Sequence, residues 1–224
     1  MAEAGGNGSD GPPSGLVRLP PGRHGLSREF VVQNQRDRIT AGIIAVVAEL
    51  GYHDATVSRI SAAAGVSRRT FYGYFKSKED CFFATFEVIS AHMLAAAAAA
   101  TAGEKSWPHR VRAAIGAVLE AFAGNPDLAR FVLIEPPRAG DEVAERLRAS
   151  GECALDELAE GLPKSVKAPS GDVQRAMLAG MAAIVARKVE AGEGEALPEL
   201  LPELLELFLT PFLGHEKAAS VARS

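Results

Sequence analysis

The stretch Gly65–Asp80, GVSRRTFYGYFKSKED, places four aromatic residues (Phe71, Tyr72, Tyr74 and Phe75) within five positions and flanks them with Arg68, Arg69, Lys76 and Lys78. Aromatic rings favour the interior and guanidinium and ammonium groups favour water, so the segment needs a surface that uses both. Its neighbours supply the geometry. Thr56 is placed to cap a short helix with an apolar side of Val57, Ile60 and Ala64, and Gly65 follows as the residue that takes the left-handed conformation past the helix end. Ser67 caps another helix only two residues later. Two short helices joined by so tight a glycine turn cross steeply, as in a helix-turn-helix.

Phe71 and Phe75, four residues apart, form the inward side of the second of these helices, and Tyr72 and Tyr74 bring an apolar ring with a polar tip. Ahead of the pair, Ile39, Ile43, Val46, Val47 and Leu50 recur on one helical face, bounded by Ser27 as a possible N-cap and Gly51 as a stop. This predicts a three-helix head. Ser77 with Asp80 three residues on reads as a capping box for a fourth helix of ~25 residues through Phe82, Phe83, Phe86, Ile89 and Met93 into an alanine run. Alanine is the best helix former, so the run is read as ordinary helix.

The rest of the chain also reads as helix. Val111, Ile115, Val118, Leu119 and Phe122 make one stripe, and Asn125-Pro126 opens another helix. A further helix is expected near 138–160, the next carries Met177, Met181, Ile184 and Val185, and the last spans Leu197 to Leu213 with apolar residues nearly all round. Such a helix is expected to need more cover than its own domain gives, which, with the small residues Ala176, Ala179, Gly180, Ala182 and Ala183, predicts a homodimer through 172–191 and 197–213. The expected domains are a disordered tail at 1–26, a helix-turn-helix domain at 27–76, and a helical effector-binding and dimerisation domain at 77–224. The fold class is all-α.

Net charge is −4, but the distribution is uneven. Val57 to Lys78 holds five basic residues and no acid, whereas from Ala91 onward nineteen acids face fourteen bases. One short positive module on an acidic protein suits a phosphate backbone better than the net charge suggests. The N-terminus, MAEAGGNGSDGPPSG, lacks a basic region followed by an apolar one, so no signal peptide is read and a cytoplasmic protein is expected. The apolar runs at 93–100 and 177–186 fall short of the ~20 residues that cross a bilayer. Cys81 and Cys153 stand alone and the five histidines are scattered, so no metal site, disulfide or cofactor is expected. Gly6-Asn-Gly8-Ser-Asp-Gly11 matches a dinucleotide-binding pattern without the flanking strand and helix that its chemistry needs. Gly65-Val-Ser67-Arg-Arg lacks the last glycine of a nucleophile elbow, and no enzyme activity is expected.

A helix-turn-helix presents its second helix to the major groove, where basic side chains reach base edges and phosphates. The surface that wants both residue types is therefore DNA. The run from Thr56 to Glu79 resembles the DNA-binding signature of the TetR family of bacterial transcriptional regulators, over residues 28 to 85 at most. The resemblance implies a homodimeric repressor of a pseudo-palindromic operator whose C-terminal domain binds a small molecule. It implies phosphate contacts from Thr56, Tyr72, Tyr74 and Lys78, with Arg68, Arg69 and Thr70 facing bases, and Lys76 is spaced to grip the backbone as well. Gly73 departs from the pattern, since many relatives carry a larger polar residue there. Arg18, Arg23 and Arg28 form a candidate minor-groove arm.

For the effector, the segments around Phe86, Met93, Phe122, Phe131, Met177 and Met181 supply apolar side chains without a dense charge cluster, which predicts a mainly apolar ligand. The same residues also read as plain core. His92 and Trp107 are candidate polar contacts. The alternative to a regulator is a helical small-molecule-binding or adaptor protein that does not act on DNA.

Overall fold

A computed structural model describes residues 28–224, as helices joined by turns, with no strand among the described residues. The expected tail, the Ser27 cap and the Arg18, Arg23 and Arg28 arm side chains lie outside what is described. The chain divides into two compact units, the boundary falling between Cys81 and Phe82.

The first unit holds α1 (Arg28–Leu50), α2 (Val57–Ala63) and α3 (Arg68–Tyr74). Ile39, Ile43, Val46 and Val47 of α1 are buried with Ile60 of α2 and with Phe71 and Phe75, so the predicted stripes do meet in one small core. Gly42 sets how closely α1 and α2 cross. A Cβ there would stand 3.0 Å from the Ala64 nitrogen and the Ile60 oxygen, both main-chain atoms that have little room to yield. Thr56 accepts from the Arg59 amide at the start of α2 and Ser67 from the Thr70 amide at the start of α3. Between them Gly65, at φ 60°, donates to the Ala62 carbonyl while Val66 donates to that of Ser61. This pair of bonds closes α2 and reverses the chain in two residues.

α4 (Lys78–Thr101) begins in the first unit and continues into the second. Ser77 caps it by accepting from the Asp80 amide at 3.1 Å. The Asp80 carboxylate accepts from the Lys76 amide at 2.7 Å, one residue earlier than a reciprocal capping box would place it.

The second unit adds α5 (Trp107–Gly124), α6 (Pro126–Ala129), α7 (Pro136–Ala139), α8 (Asp141–Ala159), α9 (Gly171–Glu190), α10 (Leu201–Leu213) and α11 (His215–Ala222). The helix expected after Asn125-Pro126 is broken up. Residues Arg130–Ile134 widen into a π-helical turn in which Glu135 donates to the carbonyl five residues back, Arg130, and Pro136-Pro137 then supply no amide with which to continue it. Glu135, fully buried, is held there by Arg138 at 2.8 Å and Arg130 at 3.6 Å.

The expected last helix at 197–213 also differs. Gly194–Leu200 forms 3-10 turns, α10 starts at Leu201, and Gly214, at φ 79°, lets the chain fold back as α11. Ala218, Ala219 and Ala222 of α11 are buried in that packing, as are Leu204, Leu205, Phe208 and Leu209 of α10. Most of the apolar surface thought to need a second chain is thus covered within this one, and Leu207, 38% exposed, is the large apolar residue α10 leaves most open. α4 is long and apolar enough, by length and composition, to cross a membrane. Its Phe82, Phe86 and Ile89 are buried within the fold.

Candidate DNA-binding surface and ligand cavity

The candidate recognition helix α3 is only seven residues long, so packing must hold it. Phe71 is completely buried, and its ring lies edge-on to Tyr72 and tilted against Phe75, with centroids 5.5 and 5.7 Å apart. With that side fixed, Arg68, Arg69, Tyr72 and Gly73 are exposed, and Lys76 just beyond the helix is exposed too. The space around Gly73 is open.

The remaining predicted contact residues have structural partners of their own. Thr56 is exposed and its hydroxyl accepts from the Arg59 amide at 3.3 Å. Thr70 pairs its hydroxyl with that of Ser67 at 2.9 Å. Tyr74 donates its hydroxyl to the Gln35 side chain at 2.8 Å, tying α3 to α1. Lys78 donates to the Tyr52 carbonyl at 2.8 Å and sits 4.0 Å from the centre of the Tyr52 ring. The Tyr52 hydroxyl in turn donates to Glu79 at 3.1 Å. Burial, reinforced by the Glu79 carboxylate, pushes the Tyr52 hydroxyl well above the usual tyrosine range. Glu79 is held below its usual value, chiefly by its own main-chain N–H and by the Ser77 hydroxyl.

Sequence reasoning passed over the residue that fastens the turn. Arg38, 8% exposed, donates through its guanidinium to the Ala64 carbonyl and, at 2.7 Å, to that of Gly65. It satisfies carbonyls at the end of α2 that have no helical partner. A basic residue beside Ile39 reads as surface in a one-dimensional pattern, so no local signal marks it.

Within the second unit a cavity of about 690 Å³ opens between α4, α5, α8 and α9. Met93, Phe122 and Met181 line it. Phe86, Phe131 and Met177 are buried elsewhere in the core, Phe131 stacking on Phe82 at 4.3 Å, so half of the residues proposed for the ligand do not reach the cavity wall. Trp107 is buried and donates its indole N–H to the Leu158 carbonyl at 2.6 Å, while His92 is exposed; neither lines the cavity. Alanines widen the wall: Ala97 and Ala98 on α4, from the run read in sequence as ordinary helix, Ala114 on α5, and Ala179, Ala182 and Ala183 on α9, which the sequence reading places in a dimer interface.

Residues 39–85 match the family model described as bacterial regulatory proteins, tetR family. The chain is 44% identical over 50 residues to the fatty acid metabolism regulator protein of Bacillus subtilis, covering 22% of this chain and 26% of that protein. It is 32% identical over 143 residues to the HTH-type transcriptional regulator TcmR of Streptomyces glaucescens, covering 61% and 62%. These matches therefore span less than two thirds of either relative. The crystal structure of the transcriptional regulator FadR from Bacillus subtilis in complex with stearoyl-CoA aligns at a TM-score of 0.69 and 22% identity, over 80% of this chain and 98% of that one. At that identity the likeness is one of fold.

Proposed function

From a chain whose DNA-binding head is that of the TetR family, we propose a transcriptional regulator that binds a pseudo-palindromic operator as a homodimer and is released from it by a small, mainly apolar effector. The observation that carries this is the pairing, in one chain, of an exposed basic helix α3 on a capped helix-turn-helix with an apolar cavity in the second unit. Arg68 and Arg69 face the bases, and Tyr72 and Lys76 grip phosphates. Thr56, Thr70, Tyr74 and Lys78 join the contact through atoms left over from their structural bonds, Lys78 keeping N–H groups free of the Tyr52 carbonyl.

Dimerisation rests on the part of α9 that lies off the cavity wall, where Val173 and Ala176 are exposed and Gly180 has open space for close helix approach, together with Leu207 of α10. In such a dimer the two copies of α3 meet successive turns of the major groove, which is why the operator is symmetric. The regulator acts on DNA in the cytoplasm. Repression follows if DNA occupancy blocks transcription, and α4, which starts at Lys78 and lines the cavity with Met93, is the element through which the ligand is felt.

Linkage requires the effector to prefer the state that fits DNA poorly, and a preference of ~1–3 kcal/mol lowers operator affinity about 5–150-fold. The test selects bound DNA from a random library, then titrates apolar compounds into the protein–operator complex. A symmetric selected site that is released by compounds which also stabilise the protein is the expected result. Failure to enrich any DNA would leave the alternative, a small-molecule-binding or adaptor protein.

A further inference from the structure

We infer that the cavity in the second unit takes a linear aliphatic chain whose polar end carries at most one charge. This rests on the effector-binding reading above and names the ligand class.

The wall is the first reason. Alanines from three helices present methyl groups to the cavity, the rest of the apolar wall is aliphatic, with Met93, Met181, leucines and valines, and Phe122 is the one aromatic ring among the lining residues. Planar aromatic ligands draw much of their affinity from stacking on rings, which this wall hardly supplies, whereas an alkyl chain needs only close apolar contact. A volume of about 690 Å³ lies within the usual range for drug-sized ligands. α4 also lacks cover from its own chain, since only 28% of its most apolar 18-residue stretch is buried. A chain lying along Ala97 and Ala98 would remove the cavity-facing part of that surface from water, and so stabilise the bound form.

Charge is the second reason. Arg110, Arg148 and Arg175 line the cavity, and so do Glu152, Glu157 and Glu160. Each guanidinium already has a carboxylate: Arg110 with Glu160 at 3.3 Å, Arg175 with Glu152 at 3.4 Å and with Asp172, and Arg148 with Glu145. A headgroup with several phosphates would have to displace these acids and then lie against the same glutamates. A hydroxyl or an ester meets no such repulsion, and a single carboxylate meets far less of it than several phosphates do. The lining therefore disfavours the polyanionic end of a coenzyme A thioester, the kind of ligand bound by the Bacillus subtilis FadR structure, while suiting its hydrocarbon part.

The experiment uses the full chain and four probes: hexadecanol, hexadecanoic acid, the coenzyme A thioester of the same acid, and a planar tricyclic quinone. Dissociation constants come from calorimetry, and each probe is also titrated into the protein–operator complex. Hexadecanol and hexadecanoic acid are expected to bind within about tenfold of each other, with the thioester no tighter than the acid and the quinone at least tenfold weaker. Ala182→Phe and, separately, Ala97→Leu, each shown to be folded by circular dichroism, should weaken hexadecanol at least tenfold by filling the channel. A thioester binding tenfold tighter than the acid, a quinone binding tighter than either chain, or unchanged hexadecanol affinity in both folded variants overturns the inference. Chains that bind as expected but leave operator affinity unchanged overturn the regulatory reading and not the ligand class.

Discussion

Replacing Arg38 by methionine keeps the apolar stem of the side chain and removes the guanidinium that fastens the end of α2. Two carbonyl oxygens lose a charged donor, those of Ala64 and Gly65. Gly65 is exposed, so water replaces much of what its carbonyl loses; Ala64 is only 4% exposed, and its carbonyl has less access to water. A hydrogen bond to a charged group contributes about 1.5–3 kcal/mol, and the variant no longer desolvates a cation, so the net cost should be about 2 kcal/mol. That is ~30-fold in the opening equilibrium of the turn. Because the chain has two units, a single unfolding free energy would blur the effect, and amide hydrogen exchange reads it locally. The amides of Gly65 and Val66, which donate to Ala62 and Ser61, should exchange ~30-fold faster, while those of α9 keep their rates. Operator affinity should fall with them, since α3 begins two residues past Val66. Unchanged exchange at both amides in a folded Arg38→Met protein would show that the guanidinium does not hold the turn.

Gly65→Ala places a Cβ at φ 60° and should cost about 1–2 kcal/mol, read as a lower melting temperature of the first unit. Arg68→Ala and Arg69→Ala should each cost ~1–3 kcal/mol in operator binding with relaxed sequence preference, whereas Lys76→Ala should weaken all DNA alike and lower the salt slope by about one; binding isotherms on operator and random DNA decide between the two patterns. Tyr74→Phe should chiefly loosen α3 from α1 through loss of the Gln35 bond, so slower loss of DNA affinity than of α3 exchange protection is expected. Glu79 is depressed in the folded protein, so its contribution is present above the unfolded glutamate range and is lost as pH falls through the lower folded value; Glu79→Gln should flatten the acid limb of the first unit's melting profile.

The helix-turn-helix was legible in the chain because its caps, its turn and its aromatic spacing are local. Thr56, Gly65 and Ser67 act through hydrogen bonds and dihedral angles that span three or four residues, and Phe71 and Phe75 declare their common side by spacing alone. For the same reason the basic face of α3 was readable, as it is simply what the aromatic side leaves outside. Tertiary structure decided the rest. Arg38 and Ala64 lie 26 residues apart, and Gly42 meets α2 only because two helices cross, so neither role leaves a periodic trace. The helix after Pro126 widens into a π turn before Pro136, and the burial of Glu135 between Arg130 and Arg138 at that point is a contact the linear pattern does not mark. The cavity shows the limit most clearly. Met93, Phe122 and Met181 share the apolar character of Phe86, Phe131 and Met177, yet only the first three face open space. Hydrophobicity specifies that a side chain leaves water; whether it meets another side chain or a void depends on how far apart the alanine-faced helices stand, which the packing of the whole unit sets.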